Sequence, residues 1–351
     1  MNRSSVFLVV MAGGSGTRFW PKSTARRPKQ LLVFGEDKDG TLLTQTLARF
    51  EGVVPHEQRM IVTTRFLKDA ICREAPGITV LAEPEGRNTA PCVYWTAQEI
   101  ASRNPKAVML VMPSDHAIGK PVEFCKTIQA AVSWAESHDD LITLGIKPSR
   151  PETGYGYLKL GTTLAGSCRK VEAFVEKPNL ERAQDYFKSG NYLWNGGMFV
   201  WRVETILRVF DQYMPEMRRA WEEARGVGEE AYPRMTATSI DYGIMEKADH
   251  VVTFPLDCEW DDLGSWISLE NLAQKMPGAK QAGSVVTGGE LLSIDSKNNI
   301  VDAPGKLIAL LGVEDLVVVE QGNSILVCHK SRAQDIRLVV DQVKKRRPEL
   351  G

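Results

Sequence analysis

The run Val6-Phe7-Leu8-Val9-Val10-Met11 passes directly into Ala12-Gly13-Gly14-Ser15-Gly16-Thr17-Arg18. A short apolar stretch without polar alternation has the pattern of a parallel strand buried on both faces. The glycines that follow tolerate positive φ and let backbone N–H groups come close to a ligand. In an open α/β sheet, ligands bind beyond the carboxyl ends of the strands, where this loop would lie.

Working outward, the same texture recurs. Arg59–Thr63, Ile78–Leu81, Ala107–Met112 and Leu141–Ile146 read as strands, and Val251–Leu256 is strand-like. Thr41–Phe50, Thr89–Arg103 and Val122–Ser137 carry helical spacing. Alternation of this kind predicts an α/β fold with a doubly wound, mainly parallel, Rossmann-like sheet. After Pro277-Gly278 the texture changes. Ser284–Lys330 holds short β-rich pieces broken by Gly288-Gly289, Asn298-Asn299, Pro304-Gly305 and Gln321-Gly322-Asn323, with a helical pattern only from Ser331. A small β-rich, short β-helix-like domain closed by a terminal helix is expected there. The boundary falls near residues 275–283, giving a larger domain over 1–277 and the smaller domain over 283–351.

Composition narrows the class. The 351 residues are 43% apolar and 25% charged, with a net charge of −1. A near-neutral chain has no global electrostatic reason to bind nucleic acid or an anionic membrane. No apolar run reaches the roughly 20 residues of a membrane span, and the apolar N-terminus runs into the glycine loop instead of a cleavage site. The six cysteines are scattered without a C-x-x-C pair, and the five histidines form no ligand cluster. A cytoplasmic protein without structural zinc is therefore expected.

The glycine loop excludes two familiar phosphate binders. No G-x-x-x-x-G-K-[ST] run is present, and Phe19 stands where a dinucleotide fingerprint needs a small residue. What the loop has instead is Arg18, followed by Pro28-Lys29-Gln30. Arginine offers a planar fork to phosphate oxygens, and lysine a point charge. Taken alone, Gly-Gly-Ser-Gly fits an ordinary strand-to-helix turn equally well, and Arg26 and Arg27 read as solvated loop charges. Asp115 follows the strand Ala107–Met112, and Asp262 lies in Glu259-Trp260-Asp261-Asp262-Leu263-Gly264. Two aspartates converging from distant segments would suit Mg²⁺, which is held by one or two carboxylates plus phosphates and water. Singly, each could as well be a cap or a turn former.

In combination these segments resemble the sugar-nucleotide pyrophosphorylases. Further segments resemble the mannose-1-phosphate guanylyltransferase branch: Glu83-Pro84 with Gly86-Arg87-Asn88-Thr89-Ala90-Pro91, Pro113-Ser114-Asp115-His116, Glu152 to Tyr157, and Phe174-Val175-Glu176-Lys177-Pro178. Leu193 to Phe199, Ser239-Ile240-Asp241-Tyr242 and Trp260 to Trp266 follow, all in the family's order between residues 12 and 266. Departures are Ser114 for alanine, Gly196 for serine and Asp261-Asp262-Leu263 for Ser-Asp-Val. None removes a charged group that the chemistry needs. On this resemblance the chain is expected to lack the phosphomannose isomerase region of the longer bifunctional members.

The resemblance implies synthesis of GDP-mannose from GTP and mannose 1-phosphate, with Mg²⁺. It implies catalytic roles for Arg18, Lys29, Asp115 and Asp262, the two aspartates being the metal ligands. Ala12, Gly13, Gly14, Gly16, Thr17, Glu83, Arg87, Asn88 and Ala90 would bind the nucleotide, with Glu83 or nearby carbonyls accepting from guanine. Tyr155, Gly156, Glu176, Lys177 and Asn195 would bind the sugar phosphate. The alternatives are a guanylyltransferase for another sugar 1-phosphate and, from a different class, a non-catalytic sugar-nucleotide-binding subunit. Exposed edges of the β-rich domain suggest a homodimer.

Overall fold

The computed structural model describes residues 5–14, 16–34, 40–273 and 278–351. Ser15 of the glycine loop and the Lys275–Pro277 end of the expected boundary lie outside the described residues. The chain divides into two compact units. One comprises residues 1–13, 47–114 and 118–260; the other comprises 14–46, 115–117 and 261–351.

The first unit is built on a nine-stranded sheet. Its strands are β1 (Val6–Met11), β2 (Arg59–Thr64), β3 (Thr79–Glu83), β4 (Val108–Pro113), β5 (Leu141–Ile146), β6 (Tyr157–Ala165), β7 (Cys168–Val175), β8 (Tyr192–Arg202) and β9 (Val251–Leu256). The order is β3-β2-β1-β4-β8-β5-β9-β7-β6. β1 pairs in parallel with β2 and β4, β2 with β3, and β5 with β9. β8 runs antiparallel between β4 and β5, and β6 and β7 add an antiparallel hairpin. The sheet is therefore mixed. The doubly wound parallel part follows the expected strands, and the antiparallel insertion comes from residues 157–202.

Burial explains the apolar runs. Phe7, Val9, Met60, Val62, Met109, Val111, Phe199 and Trp201 share one core cluster, while the alternate residues Leu8, Val10, Ile61, Leu110 and Val200 are fully buried too. Both faces of these strands are covered, which removes any reason for polar alternation. α1 (Thr89–Arg103) and α2 (Val203–Tyr213) contribute Val93, Ala97, Ile100, Ile206 and Phe210 to the first of those faces.

The second unit has a five-stranded sheet of β10 (Lys280–Gln281), β11 (Ser284–Ile294), β12 (Ile300–Leu311), β13 (Leu316–Gln321) and β14 (Ser324–His329), in that order. β11, β12 and β13 are successive parallel strands, as in a short solenoid turn. Gly289 sits at a bulge with φ +91°, where a Cβ would lie 2.2 Å from the Ala303 carbonyl. α3 (Ile336–Arg346) closes the unit.

Within this unit, residues of the 19–32 stretch pack with this sheet. Phe19, Trp20 and Leu32 share a core with Trp266, Ile300, Val317, Ile336 and Val340. Trp20 Nε1 donates to the Leu350 carbonyl at 2.8 Å, Trp266 Nε1 donates to the Trp20 carbonyl at 3.2 Å, and Lys22 pairs with Asp302 at 2.6 Å. The loop that carries Arg18 and Lys29 is thus seated on the C-terminal β-rich segment.

Candidate active site

In the second unit, Gly16, Thr17, Arg18, Lys29, Asp115 and Asp262 line one polar cavity of about 400 Å³. These six expected residues come from separate stretches of chain. Two turns present the cations: a 3₁₀ turn over Thr17–Phe19 carries Arg18, and another over Lys29–Leu31 carries Lys29. Gly16 makes their approach possible. At φ +57° it occupies the left-handed region, and a Cβ there would lie 2.4 Å from Lys29 Cβ. Gln30, almost fully buried, donates Nε2 to the Gly14 carbonyl at 3.1 Å and fixes the loop from the other side.

Lys29 is buried. Its ammonium pairs with Asp115 Oδ2 at 2.9 Å and donates to the Asp262 backbone carbonyl. Burial alone would push the Asp115 carboxyl up, but the Lys29 ammonium and His116 beside it more than offset that and hold it below the ordinary range. His116 Nε2 lies 4.0 Å from Asp115 Oδ1. Asp262 Oδ1 accepts from the Gly264 N–H at 3.0 Å, which orients the carboxylate in its turn. Two anionic oxygen donors on one cavity, without a group of three or more His, Cys, Asp or Glu among the described residues, fit a hard divalent cation whose shell phosphates and water complete. Arg26 and Arg27 are exposed.

The first unit holds two further clusters. In one, Ala12 is pinned by its backbone: its N–H donates to the Val62 carbonyl at 2.7 Å, and its carbonyl accepts from Thr63 Oγ1 at 2.9 Å. Glu83 is buried, accepts from the Tyr232 hydroxyl at 2.5 Å, and has its Oε2 3.2 Å from where a Gly13 Cβ would stand. Burial raises the Glu83 carboxyl above its usual range against the opposing effect of the Tyr232 and Cys92 hydrogen bonds. Arg87 is committed locally, to Glu85 at 2.5 Å and to the Met235 carbonyl at 2.7 Å. Asn88 caps α1 by accepting from the Thr89 N–H at 2.9 Å, and Ala90 is fully buried.

In the other cluster, Asn195 is held from three sides. Its Oδ1 accepts from Thr143 Oγ1 at 2.9 Å, its N–H donates to the Gly156 carbonyl at 2.8 Å, and its Nδ2 donates to Asp241 Oδ1 at 2.9 Å. A Cβ on Gly156 would stand 2.5 Å from Glu176 Oε2, so glycine permits that carboxylate's position. Glu176 pairs with Lys177 at 2.5 Å, and the Tyr155 ring packs edge-on against Trp194 and Trp260. Asp241 is the residue that sequence reasoning missed as a group with a role. Burial and the nearby Glu176 charge push its carboxyl up to about 6. The Ser239–Tyr242 motif pointed to it, but its meeting with Asn195 depends on a π-helical turn over Asp241–Met245. A second omission is Arg337, which lines the same polar cavity from α3.

The nucleotidyl transferase family model matches residues 8–278. The chain belongs to that family. A second model, the mannose-phosphate isomerase and GMP-like β-helix domain, matches residues 289–343. The mannose-1-phosphate guanylyltransferase of Escherichia coli K12 is 36% identical over 98% of this chain and 74% of its own length. The alginate biosynthesis protein AlgA of Pseudomonas aeruginosa is 35% identical over 95% of this chain and 71% of its own. A crystal structure from Thermus thermophilus, described as a mannose-1-phosphate geranyltransferase, superposes with a TM-score of 0.88 at 35% identity, covering 97% of this chain and 99% of that one. Members of the nucleotidyltransferase family generally use a divalent metal, which agrees with the donor set of Asp115 and Asp262.

Proposed function

We infer that the chain transfers a guanylyl group from GTP to α-D-mannose 1-phosphate, forming GDP-mannose and pyrophosphate. The observation that carries this reading is the gathering of Arg18, Lys29, Asp115 and Asp262 on one polar cavity, in a chain with guanylyltransferase relatives over nearly its whole length. A phosphate oxygen of the sugar phosphate attacks the α-phosphorus in line. The new P–O bond forms while the bond to the pyrophosphate oxygen breaks, and the electron pair leaves with pyrophosphate. Both groups are already competent, so the protein supplies positioning and charge neutralisation without a covalent nucleophile.

In this reading the amides of Gly13, Gly14, Gly16 and Thr17 hold nucleotide phosphates. Arg18 takes the departing pyrophosphate, and Lys29 takes charge at the α-phosphate. We propose Mg²⁺ as the metal. Held by Asp115 and Asp262, it would serve as a Lewis acid on phosphate oxygens. Glu83 and the Arg87–Ala90 segment frame the guanine pocket, where Arg87 and Asn88 act by shaping the loop. Glu176 and Asn195 accept and donate to sugar hydroxyls, Lys177 pairs with the sugar phosphate, and Tyr155 and Gly156 shape the pocket.

Residues 1–277 are proposed as the nucleotidyltransferase domain and 283–351 as the β-rich domain. The family matches at 8–278 and 289–343 fall on either side of that boundary. A homodimer is proposed as well. Leu292, Ile294, Leu307 and Leu311 expose apolar side chains on neighbouring strands β11 and β12, a surface that association would cover. A monomer mass in light scattering at micromolar concentration would refute the dimer. A cytoplasmic location is supported by six thiols with no disulfide between them. No helix among the described residues is long and apolar enough to cross a membrane.

The test of function is pyrophosphate release by the purified chain with Mg²⁺, across nucleoside triphosphates and sugar 1-phosphates. Release with GTP and mannose 1-phosphate alone is expected. Release with GTP and another sugar would overturn the sugar assignment. No release with any pair would point to a sugar-nucleotide-binding subunit.

A further inference from the structure

Arg337 belongs to the C-terminal helix, in a segment without any catalytic motif, yet it lines the same cavity as Arg18, Lys29, Asp115 and Asp262. Its backbone is fixed there. The preceding Ile336 is 1% exposed, and with Val340 it packs into the core that contains Phe19 and Trp20. The helix rests on the Thr17–Phe19 turn, which carries Arg18.

Charge pairing separates the three cations of the cavity. Lys29 is committed to Asp115. Among the described residues, neither Arg18 nor Arg337 has a hydrogen-bond or ion-pair partner. Two permanently charged guanidiniums facing one polar cavity repel unless an anion lies between them. Each presents a planar set of donors matched to phosphate oxygens. Other cations near the same helix end are used differently: Arg332 pairs with Asp335 at 2.5 Å.

We propose that Arg337 is a phosphate-binding residue that, together with Arg18, grips the pyrophosphate end of the nucleotide. The proposal rests on the reading of this cavity as the triphosphate site. It places a substrate contact in the β-rich segment and makes α3 part of the machinery that holds the leaving group.

Pyrophosphate binding to the full-length chain with Mg²⁺, measured by titration calorimetry, tests it without requiring turnover. Arg337→Ala is expected to raise the pyrophosphate Kd by about tenfold or more, as for loss of one charge-assisted phosphate contact. Arg337→Lys should recover part of the loss. Arg346→Ala, which removes an exposed cation of the same helix that does not line the cavity, should stay within twofold of wild type. In steady state Arg337→Ala should raise KM for GTP and leave KM for mannose 1-phosphate unchanged. An Arg337→Ala chain that melts like wild type and binds pyrophosphate within twofold of it overturns the proposal. So does a wild-type chain that binds no pyrophosphate. Failure of every sugar phosphate to turn over, with the Arg337→Ala binding defect intact, would instead remove the catalytic reading and leave Arg337 as an anion contact.

Discussion

Gly16→Ala is the most severe single-methyl change that the phosphate loop offers. Two costs combine. At φ +57° an L-residue in the left-handed region loses roughly 1–2 kcal/mol. The added Cβ would also stand 2.4 Å from Lys29 Cβ and 2.6 Å from Lys29 N. Neither obstacle is the tip of a flexible side chain, so the turn carrying Lys29 must move, at an overpacking cost of about 1–3 kcal/mol. Together these predict about 2–5 kcal/mol of lost stability in chemical denaturation. Movement of Lys29 by about 1 Å would also separate its ammonium from Asp115 and from its proposed place at the α-phosphate, which is expected to cost turnover about 100-fold. Gly14→Ala is the internal control for stability. A Cβ at Gly14 meets nothing within 4 Å, so its denaturation midpoint should match wild type. Equal stability of the Gly16→Ala and Gly14→Ala chains, with near-normal kcat/KM for Gly16→Ala, would refute the claim that Gly16 exists to admit Lys29.

Asp115→Asn and Asp262→Asn should each reduce kcat/KM by several kcal/mol of transition-state stabilisation with the fold intact; wild-type-like pyrophosphate release in both would remove the metal assignment. Tyr232→Phe leaves the buried Glu83 without its hydroxyl donor and should cost about 1–3 kcal/mol in denaturant titration, an expectation that an unchanged midpoint would defeat. Asp241 titrates at about 6 in the fold against an ordinary 3.8. The folded chain therefore binds its proton more tightly, and its contribution to stability is complete below about pH 4 and lost as pH rises to about 6. Asp241→Asn should remove that decline, worth roughly 3 kcal/mol. Superimposable stability profiles for the two chains between pH 4 and 7 would contradict it.

Much of the fold was legible because β1, β4 and β5 are buried on both faces and so have uninterrupted apolar sequences. The antiparallel insertion was not. β6 and β7 expose several residues each, their polar and apolar positions are irregular, and bulges break their register. In the candidate site, Arg18, Lys29, Asp115 and Asp262 could be singled out because phosphate and metal chemistry restricts the residue types. Arg337 could not, since an exposed arginine on an amphipathic helix has the sequence signature of any solvated surface charge. Asp241 was visible as part of a motif, but its raised carboxyl depends on burial next to Glu176 and on a π-helical turn. Neither leaves a trace in local spacing.

The seating of residues 14–46 on the β-rich segment bears on how such a chain can be cut, shuffled or inherited. A break near residue 277 looks clean along the chain, yet it would leave Phe19, Trp20 and Lys22 facing solvent where Ile300, Val317 and Asp302 had supported them. A chimera joining the first two-thirds of this chain to a relative's C-terminal third should thus lose pyrophosphate affinity unless residues 14–46 travel with that third. The hereditary module runs in three separate pieces of the gene, 14–46, 115–117 and 261–351, and selection on any one is felt by the others.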